Sequence, residues 1–147
     1  MKPVLFACLA MVFYAFQNVL IEQKLSRYST VAILVFFYAS LFPAALAAFF
    51  ALKASGQQVA VPSGAMMWAT VGIGTLYFFG DYFYIGAYTR GGNLFTVATI
   101  VALFPALASV MKYLWTGVLP NRYHVIGYVF AFAAVAFVAK GNLTAGK

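Results

Sequence analysis

Asp81 is the one carboxylate that this 147-residue sequence places inside an apolar stretch, in the run Gly80-Asp81-Tyr82-Phe83-Tyr84. Tyr77, Asp81, Tyr84 and Tyr88 follow at spacings of four, three and four, which on a helix puts them on one face. A carboxylate among aromatic rings can exchange a proton or pair with a cation, and the ring faces suit a cationic or aromatic substrate. Where the surrounding stretch crosses lipid, an ionised aspartate is costly and has to face protein or water. A carboxylate that readily exchanges a proton is what proton-coupled transport needs. The same residues can also simply hold helices together, since intramembrane polar side chains bond across helices for about 1 kcal/mol each.

The composition says what surrounds this group. Hydrophobic residues make up 65% of the chain and charged residues 7%, against about 45–50% and 25% in soluble domains. Nine basic and two acidic side chains cannot cover a water-exposed surface. The net charge of +7 comes from basic residues scattered singly rather than gathered in a patch, which excludes a nucleic-acid partner. One cysteine, Cys8, and one histidine, His124, cannot build a four-ligand zinc site or a disulfide within the chain. No Walker-type glycine-lysine motif is present, and no cofactor is implied. A membrane-embedded hydrolase would need a nucleophile–base or acid pair, which one deep carboxylate and one interfacial histidine do not supply.

Five apolar runs of helix length divide the chain, at about 4–21, 31–52, 65–89, 94–116 and 123–139. None has the alternating pattern, about ten residues long, of a barrel strand. The first run follows Lys2, but Gln17, Asn18 and Glu22 come after it without a small-x-small cleavage site, so it reads as a helix rather than a leader. The expectation is a single all-α membrane domain over 1–147 with five transmembrane helices.

Asp81 then lies about 12 Å from the nearer end of helix three, and about 6 Å beyond its centre. Helix one runs in the same direction, so Gln17 and Asn18 reach a similar depth, and Tyr14 shares their helix. Helices two and four run the other way, bringing Tyr38, Ser40, Thr96 and Thr99 near that level. This polar belt is better placed around a cavity than against lipid. Pro105 interrupts the fourth helix, as a hinge for alternating access or as a static bend. Glu22, near Lys24 and Arg27, reads as an interfacial ion pair.

An odd number of helices puts the termini on opposite sides. Lys2, Lys53, Lys112 and Arg122 fall on the amino-terminal side, and Lys24, Arg27, Arg90, Lys140 and Lys147 on the other. Orientation is set by a bias in such residues, and here the bias nearly vanishes. Either lipid and partner context fixes one orientation, or the chain inserts both ways round.

The order of motifs resembles the EamA-type domain of the drug/metabolite transporter superfamily, in its short, single-domain, five-helix form. The resemblance rests on Phe13-Tyr14-Ala15-Phe16-Gln17-Asn18, Tyr28-Ser29-Thr30, Ala87-Tyr88-Thr89-Arg90, Pro105, Val125-Ile126-Gly127 and Gly141. Phe37-Tyr38 stands where such proteins often carry a basic residue, and Gly117 where they usually carry a glutamate. The resemblance implies that larger members hold two inverted five-helix halves, with the substrate near the midplane of the repeat interface. A lone half rebuilds that arrangement by pairing antiparallel with a copy or a relative.

Together these observations lead to a secondary-transporter subunit in the inner cell membrane, moving a small metabolite or drug as an antiparallel homodimer. Asp81, Tyr77, Tyr84, Tyr88, Asn18, Gln17, Tyr14 and Tyr38 are the expected substrate or coupling residues, and Pro105 the expected hinge. The rival is a non-catalytic membrane subunit that pairs with a different half-transporter or scaffolds a complex.

Overall fold

In hydrocarbon every backbone polar group has to be paired within the protein, so an apolar chain without barrel-type alternation is left with helices. The computed structural model describes residues 3–145, with side chains through Gly141, and among these residues it contains helices and no strand. Lys2 and Lys147 of the charge comparison lie outside the described residues. The helices are α1 (Pro3–Leu20), α2 (Thr30–Ala54), α3 (Ala65–Thr89), α4 (Leu94–Val101), α5 (Phe104–Thr116) and α6 (Arg122–Ala145).

Four stretches are long and apolar enough to cross a membrane: Pro3–Leu25, Thr30–Ala54, Leu94–Thr116 and Arg122–Gly141. The 25-residue α3 has the length, about 37 Å at 1.5 Å per residue, but is not among them. Gly72, Gly74, Gly80, Asp81 and its tyrosines dilute the apolar character that its phenylalanines supply.

α1 ends at Leu20, close to the bound expected from the sequence, and the chain continues directly in a π-type turn, Ile21–Leu25. α6 passes through Gly141 to Ala145, because that glycine keeps an ordinary helical φ instead of turning left-handed. Gly117, in contrast, ends α5 at φ +69°, where its N–H reaches the Tyr113 carbonyl at 2.8 Å.

The fourth expected span is two helices rather than one rod. Pro105 sits in the first turn of α5, where a missing N–H is tolerated. In a continuous helix that N–H would have bonded the Val101 carbonyl, so the α-helical ladder is cut there. The gap is bridged by tighter bonds, Leu103 N–H to Ile100 O at 3.1 Å and Ala106 N–H to Leu103 O at 3.0 Å. Pro43 lies inside α2 without ending it.

The chain divides into two compact units, Lys24–Arg90 and the pair of segments Met1–Gln23 and Gly91–Lys147. In the first unit α2 packs against α3, with Ile33, Leu34, Ile85 and Tyr88 buried. In the second, α4 packs against α6 and α1, and α5 against α6. There the Ser109 and Tyr128 hydroxyls are hydrogen-bonded between α5 and α6, and Ala106 is buried.

Among the described residues Glu22 forms no ion pair with Lys24 or Arg27 and serves a helix end instead. Its position in the π-type turn brings Oε1 to the Leu94 backbone N–H at 2.6 Å, at the first residue of α4. Asn93 Oδ1 accepts from the Thr96 N–H at 2.9 Å in the same first turn. Two otherwise orphaned helix N–H groups are thus satisfied, and a negative charge meets the positive end of the helix dipole.

Candidate functional site

Asp81 is the seventeenth residue of α3 and half-buried. The partner of its carboxylate comes from the neighbouring helix: the Tyr38 hydroxyl of α2 donates to Asp81 Oδ2 at 2.6 Å. Hydrogen bonds to an ionised acceptor are short and about twice as strong as neutral ones. The contact fixes the carboxylate against α2 and occupies one of its two oxygens.

Aromatic rings continue from this pair. The Tyr38 ring lies 6.3 Å from that of Phe78, and Phe78 stacks on Tyr82 at 6.5 Å and 28°. Phe37 meets Tyr38 edge-on at 5.5 Å. Phe78 and Tyr82 were not singled out from the sequence. Phe78 carried a usable signal, since it stands three residues before Asp81 and so on the same helix face.

The expected residues are distributed over the two units. Tyr84 and Tyr88 form their own pair, with rings edge-on at 5.4 Å and hydroxyls 3.4 Å apart, and Tyr88 is fully buried. Tyr77, at the centre of α3, is 65% exposed. Tyr14, Gln17 and Asn18 belong to the other unit, where Tyr14 is exposed and the two amides are half-buried. Pro105 is at the α4–α5 break in that same unit.

Three hydroxyls of the expected polar belt are engaged locally. Ser40 donates to the Phe37 carbonyl at 2.8 Å, Thr96 to Asn93 Oδ1 at 2.8 Å, and Thr99 to the Phe95 carbonyl. Ser40 and Thr99 bond back to their own helix and need no neighbour. Tyr38 differs in sending its hydroxyl to the carboxylate of another helix.

At the end of the α2–α3 pair, the Thr30 and Thr89 hydroxyls share a hydrogen bond of 2.7 Å. Arg90 folds back along α3, Nη1 approaching the Gly86 carbonyl at 3.4 Å, which sets a cation against the negative helix end. Gly86 leaves room for this, since a Cβ there would stand 2.8 Å from Nη1. Among the described residues no three of His, Cys, Asp and Glu gather into a cluster that could hold a metal.

A carboxylate gripped by a phenol, among ring faces and within an apolar two-helix unit, can bind a proton or a cation reversibly. The sequence family described as "EamA-like transporter family" matches residues 1–140 of the chain. No curated protein and no solved structure matches it.

Proposed function

The chain belongs to the EamA-like transporter family, and from that premise we propose that it is a secondary-transporter subunit whose coupling residue is Asp81. As a multi-pass membrane protein of the inner cell membrane, it moves a small metabolite or drug, cationic or aromatic in character. Coupling to a proton or other cation takes place at the carboxylate. The observation that carries this reading is the Tyr38–Asp81 hydrogen bond. It holds the Asp81 carboxylate in a defined place and engages only one of its two oxygens.

The chemistry follows from competition for that carboxylate. Ionised, it accepts from Tyr38 and attracts a cation; protonated, it loses its charge and its hold on a cationic substrate together. Proton and substrate therefore exclude each other at one group, which is the elementary requirement of an exchanger. The working unit is an antiparallel homodimer, supported by the near-even division of basic residues between the two sides. Two inverted copies give the inverted repeat that places a transporter's substrate between them.

Reconstitution into proteoliposomes tests the coupling. Asp81→Asn keeps the size of the side chain and removes its charge, so gradient-driven substrate flux is expected to fall to background with unchanged helix content. A fully active Asp81→Asn protein removes Asp81 from the role. A two-colour topology reporter at the carboxyl end tests the dimer. Signals from both compartments support the antiparallel homodimer, whereas one signal directs attention to a different half-transporter as partner.

A further inference from the structure

The Lys24–Arg90 unit carries a groove of about 420 Å³ between α2 and α3, lined by Tyr38, Val71, Gly74, Thr75, Phe78 and Phe79. The groove is open along one side, so it can receive one face of a small apolar body rather than enclose it. Its lining from Val71 to Phe79 occupies the middle of α3, so it opens on the side of the helix pair rather than at a helix end. Val71 and Phe79 are 55% and 52% exposed.

The hydrogen-bond inventory of the groove decides what it can hold. The Tyr38 hydroxyl hydrogen is committed to Asp81 at 2.6 Å, and that of Thr75 to the Val71 carbonyl at 3.1 Å. No hydroxyl proton remains for a ligand, which excludes recognition of an anion by the lining. The groove offers apolar walls, the ring faces of Tyr38, Phe78 and Phe79, and, through Tyr38, the negative charge of Asp81. Ring faces and a nearby carboxylate both attract positive charge.

We propose that this groove is the binding site for the apolar body of a lipophilic organic cation, which enters sideways from the hydrocarbon and sets its charge against Asp81 beside Tyr38. The inference rests on the role of Asp81 argued above and adds where the substrate lies, how it arrives and which chemical class it belongs to. Gly74 is the means of testing it. A Cβ at Gly74 meets no atom within 4 Å, and neither does one at Gly72, which lies on the same helix outside the groove lining. The backbone at Gly74 therefore accepts a Cβ, a phenylalanine there takes up groove volume, and the same substitution at Gly72 is a matched control.

The experiment is equilibrium binding of tetraphenylphosphonium to the purified full chain in detergent, with tetraphenylborate as an anion of similar shape. Saturable binding of the cation is expected, at least about tenfold tighter than the anion. Gly74→Phe is expected to weaken it about tenfold or more, Gly72→Phe less than about twofold, and Asp81→Asn about tenfold. Binding lost in Asp81→Asn but intact in Gly74→Phe overturns the groove and spares the role of Asp81. Equal binding of both ions, sensitive to Gly74→Phe, overturns the cationic class. Absence of saturable binding overturns the proposal altogether. Should Gly74→Phe fail to fold, Val71→Cys in a Cys8→Ser background gives the same decision. Tetraphenylphosphonium slows maleimide labelling there if the groove is the site, and labelling at an unchanged rate overturns it.

Discussion

Thr30 and Thr89 share a hydrogen bond of 2.7 Å, and each stands eight residues along its helix from a member of the Tyr38–Asp81 pair. The two bonds therefore fix one antiparallel register between α2 and α3. Leu34 and Ile85, both 1% exposed, occupy the matching position midway between them. A polar contact at each end and an apolar contact in the middle prevent the helices from sliding or rotating independently, so a change at Asp81 is felt by the whole pair.

The two polar contacts should differ in strength. An average intramembrane hydrogen bond contributes about 0.6 kcal/mol in double-mutant cycles, because the unfolded chain in the membrane also finds partners. A bond to an ionised acceptor is worth more, about 1.5–3 kcal/mol. A Tyr38→Phe/Asp81→Asn cycle is accordingly expected to give a coupling of about 1–2 kcal/mol, and a Thr30→Val/Thr89→Val cycle about 0.5 kcal/mol. Thermal or denaturant unfolding in detergent measures both. Equal couplings would mean that the carboxylate is not held as an ion.

Glu22 links the end of α1 to the start of α4 through the Leu94 N–H. Removing the acceptor in Glu22→Ala leaves that N–H unpaired and should cost about 1 kcal/mol, as the loss of a helix cap does. Glu22→Gln keeps an acceptor and loses the charge at the helix end, so about 0.5 kcal/mol is expected. Amide hydrogen exchange at Leu94 reports the local effect. Unchanged protection in Glu22→Ala would show that the cap does not hold α4.

The helical class and the approximate helix bounds were legible in the sequence, because composition and helix-length apolar runs carry them. The partner of Asp81 was not. Tyr38 came to attention through its depth, alongside Ser40, Thr96 and Thr99, and through its place in Phe37-Tyr38, with nothing to pair it with Asp81. Which of these hydroxyls would bond back to its own helix and which would cross to a neighbour depends on helix rotation. Rotation is poorly encoded here, since α2 is apolar all round and shows no polar face to orient it. Glu22 was misassigned for a related reason: Lys24 and Arg27 are close in sequence, whereas Leu94 is reached through a π-type turn that leaves no clear local signal.

Gly117 accounts for one departure from the family pattern in physical terms. Its φ of +69° ends α5 in the left-handed region, which glycine enters freely and a glutamate does not. Gly117→Glu in this chain is expected to lower stability by about 1 kcal/mol through backbone strain alone. A drop in melting temperature with Gly117→Ala of the same size as with Gly117→Glu would assign the effect to the backbone. A much larger drop with glutamate would assign it to the carboxylate.

Pro105 divides the fourth span at a place where the ladder is already bridged by short i-to-i−3 bonds. Pro105→Ala supplies the N–H that the Val101 carbonyl lacks and allows α4 and α5 to join as one rod over residues 94–116. Since proline is tolerated in a first turn, the gain in stability is expected to be modest, about 1 kcal/mol. The effect on transport should be larger and opposite in sign. A break that absorbs the backbone change of alternating access makes turnover depend on it, so turnover is expected to fall about fivefold in Pro105→Ala while binding of the substrate is unchanged. Exchange protection at residues 101–106 should rise in the same variant. If protection rises and turnover stays at the wild-type rate, the break is a static bend that shapes the helix without moving it.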